Sequence, residues 1–281
     1  MKKIVLIPNA LKDSGYSVTD RVVSVLTEFG ATVYVNAGSN YKSSNVTSYD
    51  IFPGDAELII VVGGDGSIID AAKYAIKYDV PILGVNLGKV GYLAEVELDN
   101  LSILEGLFKD AYEINDKMIL EVEFEDGVSF LTGCAVNDIV VSHDGHLGIA
   151  DIKVEDSIGN VVKYRADGII LSTPQGSTAY SLSSGGPILA HDVESILMTP
   201  VSAHSFFNRS VLFNSAEVIK VTNIGESPLI VSVDGRNQGE LVTNKACTVR
   251  KAKKSIKMLT FTKNSMFTSL FKKMRIIGDM D

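Results

Sequence analysis

A glycine-rich turn between an apolar run and a helical pattern is the feature that most constrains how this chain can fold. The turn reads GGDGS at 63–67, directly after the wholly apolar run LIIVV at 58–62. An apolar run without alternation is typical of a strand that is covered on both faces, as in a parallel sheet. The apolar residues that follow the turn recur at helical spacing. The stretch therefore predicts a strand that passes directly into a helix within an α/β unit.

Strand and helix patterns alternate over the first hundred residues. Short apolar runs at 4–7, 32–36 and 81–86 are separated by segments whose apolar residues recur every three or four positions. Such alternation with short links predicts a Rossmann-like parallel sheet with helices on its faces. We assign this N-terminal α/β domain to residues 1–105.

The pattern changes after residue 105, where short β-rich runs lie next to turn signals. Examples are EVIKVTN at 217–223 and PLIVSVDG at 228–235. This spacing predicts a C-terminal antiparallel β-rich domain over 106–263, either a sandwich or several stacked sheets. The expected fold class is thus α/β + β. A last helical pattern at 264–281 has one apolar face, which predicts that this helix packs back on the first domain.

Composition argues against several classes of protein. The 281 residues carry a net charge of -8, which argues against a general affinity for nucleic acid or anionic membrane. No apolar run approaches the ~20 residues that a membrane span needs. Two cysteines, Cys134 and Cys247, are too few for a disulfide framework, and with four scattered histidines they show no zinc spacing. We expect a soluble, cytoplasmic protein.

The turn is expected to lie where open parallel sheets bind ligands, beyond the carboxyl ends of the strands. Glycines there permit positive φ and close backbone approach, and amides at the start of a helix suit phosphate oxygens. Asp65 would repel phosphate unless it holds a metal ion that the phosphates share, or accepts a proton from an attacking hydroxyl. On spacing alone, a plain turn in which Asp65 or Ser67 caps the helix explains the pattern equally well.

Further stretches distinguish these alternatives. GGDGS resembles a signature that NAD kinases share with diacylglycerol and sphingosine-type lipid kinases. YRADGIILSTPQGSTAYSLSSGGPI at 164–188 is very close to the long signature of NAD kinases, which lipid kinases lack. The resemblance runs from the first strand to near the end and is to bacterial-type NAD kinases. Other stretches that match in kind are GVNLGKVGYLAEVE (84–97), AVNDIVVS (135–142), LMTPVSAHSFFNRSVLF (197–213) and VSVDG (231–235).

The resemblance implies a reaction and the residues that perform it. The terminal phosphoryl of ATP would move to the 2′-hydroxyl of the adenosine ribose of NAD, giving NADP and ADP. Asp65 matches the catalytic aspartate of the family, and Gly64 and Gly66 would lie against the substrate. A divalent ion, Mg²⁺, would be held mainly through substrate phosphates, so no set of protein metal ligands is expected.

The implied dinucleotide contacts lie in the second domain. Asn137 and Asp138 match an asparagine–glutamate pair, here with a carboxylate one methylene shorter. Asp167 would accept a hydrogen bond from the nicotinamide amide, and Arg165 would face a phosphate or pair with an acid. The other matched positions are Thr178, Ala179, Tyr180, Ser183 and, on the nicotinamide side, Ser202.

Two other functions stay open from the sequence. A lipid or sugar kinase would share the GGDG turn but not the long signature. Gln175 stands where the family commonly has a small hydroxyl residue. This departure and the one at Asp138 slightly favour a dinucleotide-binding regulator without catalysis, whereas Asp65 counts against it. The resemblance also implies a homodimer or homotetramer whose sites are completed by a neighbour, and it leaves polyphosphate open as a donor in place of ATP.

Overall fold

The chain forms two compact units in this computed structural model. One unit combines residues up to 116 with the segment from Ile256, and the other contains residues 117–255. The boundary after residue 105 stays a prediction from sequence. The helix expected at 264–281 lies outside the described residues, which are 2–87, 91–125, 133–144, 148–204 and 207–261.

The first unit contains strands and helices in the predicted order, with one further strand, at Thr47–Tyr49, that the sequence did not predict. Each of its four predicted strands is present to within one residue, and the observed elements follow the same order. In chain order they are β1 (Lys3–Pro8), α1 (Ser17–Glu28), β2 (Thr32–Asn36), β3 (Thr47–Tyr49), β4 (Leu58–Gly63), α2 (Asp65–Tyr78) and β5 (Ile82–Asn86), followed by 3₁₀ turns at Leu98–Phe108.

The five strands form a parallel sheet in the order 3-2-1-4-5. Every residue of β4 is buried, which explains its unbroken apolar run. Because the connections run to opposite sides of β1, the sheet has a switch point between β1 and β4, and open parallel sheets bind ligands beyond the carboxyl ends of the strands at such a point. The GGDGS turn begins at that end of β4.

The second unit is built from antiparallel strands and one short helix. The division between the units falls within its first and its last strand. In chain order the elements are β6 (Glu113–Phe124), β7 (Cys134–Ala135), β8 (Asp138–His143), β9 (Ala150–Glu155), β10 (Val161–Ala166), β11 (Gly168–Ser172), α3 (Tyr180–Ser183), β12 (Ser195–Val201), β13 (Val211–Asn214), β14 (Val218–Asn223), β15 (Leu229–Val233), β16 (Arg236–Leu241) and β17 (Ala246–Thr260).

Two antiparallel sheets enclose the core of this unit. One has the order β10-β9-β14-β17, and the other has the order β13-β12-β11-β8-β15-β16. Val141 and Leu171 of the second sheet share a buried cluster with Ile152 and Val221 of the first. The expected fold class, a parallel α/β domain followed by an antiparallel β-rich domain, is confirmed. Among the described residues, no helix has the length and apolar character that a membrane crossing requires.

We expect Ile60→Ala to lower the free energy of unfolding by about 2–5 kcal/mol, because the truncation leaves a cavity in a fully buried strand. Ile51→Ala is the matched control in the same unit, since that side chain is 84% exposed. Its effect should stay within about 0.5 kcal/mol. Urea unfolding followed by circular dichroism measures both. Equal losses would contradict the assignment of β4 to the core.

Candidate active site

The GGDGS turn joins β4 to α2 without an intervening loop. Gly64 is the N-cap of α2, and no side chain hydrogen-bonds to the cap. The hypothesis that Asp65 or Ser67 caps the helix is therefore wrong. The glycines of the turn do not use the positive φ that they permit, because φ is −107° at Gly64 and none of the three is among the positive-φ residues.

Close approach, not backbone angle, explains two of the glycines. A Cβ on Gly63 would overlap the Ser67 side chain, and a Cβ on Gly64 would lie 2.6 Å from Lys12 Nζ. Space is open around Gly66. The bare backbone at Gly63 and Gly64 therefore lets two polar side chains lie directly against the start of α2.

The Asp65 carboxylate is held by the loop that follows β5. Its Oδ2 accepts the amide of Tyr92 at 2.8 Å, and its Oδ1 accepts the amide of Leu93 at 3.1 Å. A Cβ on Gly91 would overlap Oδ1, so only glycine leaves room for this carboxylate. Burial and the charge of Asp65 raise the pKa of the Tyr92 hydroxyl. The second glycine-rich stretch thus fixes the orientation of Asp65.

Two residues after β1 also belong to this site, although the sequence pattern did not single them out. Asn9 Nδ2 donates to Ser67 Oγ at 2.7 Å, and the Asn9 amide donates to the Val62 carbonyl at 3.0 Å. Asn9 Oδ1 also accepts the amide of Lys12 at 3.2 Å, which places the exposed Lys12 ammonium beside Gly64. The available signal was positional, since parallel strands β1 and β4 end at the same edge.

In the second unit, the stretches at 135–142 and 164–188 are tied together. The Thr173 amide donates to the Asn137 carbonyl at 2.9 Å, and the Thr173 hydroxyl donates to the Val136 carbonyl at 2.7 Å. A Cβ on Gly176 would overlap the backbone of Asn137. The 3₁₀ turn at Gln175–Thr178 therefore packs against this backbone without a gap.

Asp138 is buried beside this junction, with 5% of its surface exposed. Burial, reinforced by the negative charge of Asp234, raises the pKa of Asp138 to about 7. The amide of Tyr180 donates to the Asp138 carboxylate and acts against that shift in pKa. Tyr180 is 46% exposed, and an exposed tyrosine can stack on a planar ligand.

We call this group the β8 cluster. It unites six predicted site residues at the junction of β8 with the segment 173–183. Thr178 and Ala179 are half-buried and Ser183 is exposed. The full set is Asn137, Asp138, Thr178, Ala179, Tyr180 and Ser183.

The remaining predicted residues, Arg165, Asp167 and Ser202, lie together elsewhere, and we call them the β10 cluster. The Asp167 amide donates to the carbonyl of Val201, which directly precedes Ser202. Arg165 Nε lies 3.2 Å from Asp151 Oδ1. The sequence left Arg165 to face a phosphate or to pair with an acid, and here it pairs with an acid.

The two clusters are separated by the length of β11. Ser172 at one end of β11 pairs with Asp138, whereas Gly168 at the other end pairs with Ser142 and Val201. Asp167 precedes Gly168, so the clusters are about 17 Å apart along the strand. The structure thus gathers the predicted residues of this unit into two groups and not into one.

Matches to known families cover most of the chain. Residues 4–112 match the model of the ATP-NAD kinase N-terminal domain, and residues 136–261 match that of the ATP-NAD kinase C-terminal domain. An NAD kinase of Lachnoclostridium phytofermentans is 37% identical over 276 residues, which is 95% of this chain and 96% of the relative. An NAD kinase of Natranaerobius thermophilus is 33% identical over 281 residues, 98% of each chain.

Two solved structures share the fold. The yeast NADH kinase complexed with NADH superposes with a TM-score of 0.84 at 21% identity, covering 98% of this chain and 88% of the yeast chain. An NAD kinase from Archaeoglobus fulgidus in complex with ATP gives a TM-score of 0.75 at 22% identity, covering 97% of this chain and 98% of the archaeal chain. These likenesses extend over both units.

We expect Gly176→Ala to destabilise the protein by about 1–3 kcal/mol, because the new methyl group meets backbone atoms of Asn137 that have no side-chain freedom to move away. Gly225→Ala is the matched control, since its Cβ would make only ordinary contacts at 3.5 Å. Urea unfolding compares the two. A Gly176→Ala variant as stable as the control would contradict the close packing of these segments.

Proposed function

The chain belongs to the ATP-NAD kinase family and is an enzyme that phosphorylates NAD, and we propose that Asp65 orients and deprotonates the acceptor hydroxyl. The reaction moves the terminal phosphoryl of ATP to the 2′-hydroxyl of the adenosine ribose and yields NADP and ADP. The observation that carries the role of Asp65 is its fixed carboxylate at the start of α2, held by two backbone amides. The chain matches the models of both ATP-NAD kinase domains, which argues against the alternative of a lipid or sugar kinase.

The proposed chemistry depends mainly on positioning. The 2′-oxygen forms a bond to the terminal phosphorus while the bond from that phosphorus to ADP breaks, and the hydroxyl proton passes to Asp65. A carboxylate is a weak base for an alcohol, so the proton leaves late and alignment and charge neutralisation dominate. Two amide hydrogen bonds fix the plane of the Asp65 carboxylate, which supplies that alignment.

The donor phosphates are proposed to bind the amides of Gly64 and Gly66 at the start of α2. The positive end of the helix dipole favours anions there, and the Lys12 ammonium beside Gly64 adds a full positive charge. In the described part of the chain, no group of three acidic, histidine or cysteine side chains is arranged for a metal ion. We propose that Mg²⁺ enters bound to the phosphates of ATP, or of polyphosphate if that serves as donor.

The β8 cluster is proposed to bind the adenosine part of NAD. Asn137 can donate and accept hydrogen bonds, which suits adenine or ribose. Asp138 can accept from a ribose hydroxyl, and the exposed ring of Tyr180 can stack on a base. Thr178, Ala179 and Ser183 would line the same subsite.

The β10 cluster is proposed to bind the nicotinamide end, and a homodimer or homotetramer is proposed to complete the site. Asp167 would accept a hydrogen bond from the nicotinamide amide, with Arg165 and Ser202 beside it. The β8 and β10 clusters lie at opposite ends of β11. A symmetric pair of chains can therefore bring the β8 cluster of one copy next to the β10 cluster of its partner.

A cytoplasmic location is proposed from the cysteines. Cys134 and Cys247 are free thiols, and unpaired cysteines are typical of a reducing compartment. The net charge of -8 argues against nucleic acid or anionic membrane as partners. The proposed partners are the substrates NAD and ATP.

Asp65→Asn is expected to lower kcat for NADP formation by about 10²-fold or more, because the general base is lost. The assay supplies ATP, Mg²⁺ and NAD and measures NADP with a dehydrogenase specific for it. Asp70→Asn, an exposed carboxylate on the same helix, is the control and should keep wild-type activity. A fully active Asp65→Asn variant would exclude the proposed role. NAD binding without any NADP from the wild type would indicate a regulator or another phosphoryl donor.

Mixed oligomers of Asp138→Ala with Asp167→Ala are expected to recover activity that neither variant has alone. If each site takes one cluster from each copy, a purified mixed dimer contains one intact site of two and should show about half of wild-type activity. Co-expression with two different tags allows the mixed species to be isolated. Inactive mixed oligomers would mean that both clusters act within one chain.

A further inference from the structure

The turn after β15 sends a carboxylate onto the backbone that carries the β8 cluster. Asp234 Oδ2 accepts the amide of Val136 at 2.8 Å. Its Oδ1 accepts the amides of Asn137 at 2.8 Å and of Asp138 at 3.0 Å. The Asp234 amide in turn donates to the Asp138 carbonyl at 2.9 Å. One residue thus makes four hydrogen bonds to three consecutive residues.

Two of the three residues that receive these bonds lie outside any strand. β7 ends at Ala135 and β8 begins at Asp138, so Val136 and Asn137 lie between strands. Thr173 binds the carbonyls of these two residues, and Asp234 binds their amides. Without Asp234, the three amides of 136–138 would lose their acceptor, and the direction of the side chains would no longer be fixed.

The local backbone is shaped to deliver this carboxylate. Asp234 has φ +46° and Gly235 has φ +76°, both in the left-handed region. Aspartate is one of the few side chains that tolerate that region. The turn therefore maintains an uncommon backbone conformation in which the carboxylate reaches 136–138.

We propose that Asp234 is a positioning residue for the dinucleotide, because its carboxylate fixes the backbone of 136–138 and thereby directs Asn137 and Asp138 toward the ligand. This inference rests on the proposed function of the β8 cluster. Asp234 does not need to touch NAD. Its loss should weaken NAD binding while leaving phosphoryl transfer from a bound pair of substrates largely intact.

The charge of Asp234 provides a second, electrostatic readout. Two groups act on the Asp138 carboxyl: the Asp234 carboxylate, on the β15–β16 turn, and the amide of Tyr180, on α3. The positive charge of Arg236 acts on Asp234. Burial and then the charge of Asp234 raise the pKa of Asp138 to about 7. Removing the charge of Asp234 removes a repulsion from ionised Asp138, so the pKa of Asp138 must fall. Any pH dependence of NAD binding that reports Asp138 then moves to lower pH.

The experiment compares Asp234→Asn with the wild type in steady-state NADP formation. We expect the KM for NAD to rise about 10-fold or more, since a charge-assisted hydrogen bond is lost. The KM for ATP and kcat at saturating NAD should stay near the wild-type values. Glu240→Gln, an exposed carboxylate on β16, is the matched control and should change neither constant.

Repeating the steady-state measurements from about pH 5.5 to 8.5 tests whether the pKa of Asp138 falls when the charge of Asp234 is removed. The midpoint in the KM for NAD should shift to lower pH in Asp234→Asn. If Asp234→Asn fails to fold, Asp234→Glu serves instead. It keeps the charge, but its longer side chain misplaces the carboxylate. Its KM for NAD should therefore rise, while the midpoint of the pH dependence stays in place.

Two results would overturn the proposal. One is an unchanged KM for NAD and an unchanged midpoint in variants that fold. The other is an equal loss in kcat and in both KM values together with reduced secondary structure by circular dichroism, which would mean a purely structural role. Failure of the proposed function is distinguishable, since the wild type itself would then form no NADP.

Discussion

Carboxylates that accept backbone amides hold both parts of the proposed site. The Asp65 carboxylate accepts hydrogen bonds from the amides of Tyr92 and Leu93. The Asp234 carboxylate accepts hydrogen bonds from the three amides of residues 136–138. Hydrogen bonds to an ionised acceptor are stronger than those between neutral groups, and losing one leaves a polar group unpaired. Each carboxylate therefore fixes backbone that lies outside the strands, at Tyr92 and Leu93 in the first case and at Val136 and Asn137 in the second. In the proposed function the first carboxylate is the reacting group, and the second orients the side chains that bind.

Bare backbone makes these contacts possible. Gly91 leaves room for Asp65, and Gly176 lets the 3₁₀ turn meet the backbone of Asn137. The glycines of the GGDGS turn act in the same way, since Ser67 and Lys12 occupy the space where side chains would stand. Glycine is used here for close approach of neighbouring groups. Freedom to adopt positive φ and room for close approach are two separate reasons for a glycine, and a turn sequence does not distinguish them.

Each unit provides different chemical groups for the proposed reaction. The first provides a helix start and a fixed carboxylate, which suit a phosphoryl group and a hydroxyl that must be aligned. The second provides an exposed aromatic ring and polar groups at either end of β11, which suit a long ligand with two different ends. Membership of the ATP-NAD kinase family is the reason to assign both sets of groups to the same proposed reaction.

The periodicity of apolar residues is sufficient to predict the helices and four of the five strands of the first unit. The unbroken run of β4 and the alternation before residue 100 predicted the parallel sheet, because strand and helix periods are properties of neighbouring residues. Resemblance likewise singled out three site residues: Asp65 in GGDGS, Asn137 in AVNDIVVS at 135–142, and Tyr180 in the signature at 164–188. These predictions needed no knowledge of which strands are neighbours.

Only the tertiary structure decided which distant residues meet. Strand order brought Asn9 and Lys12 to the GGDGS turn, and the sheet of the second unit brought Asp234 to Asn137, nearly a hundred positions away in sequence. Register along β11 also separated Asp167 from Asp138. The physical reason is that strand pairing and register follow from the packing of a whole core, and no local pattern encodes the neighbour across a sheet.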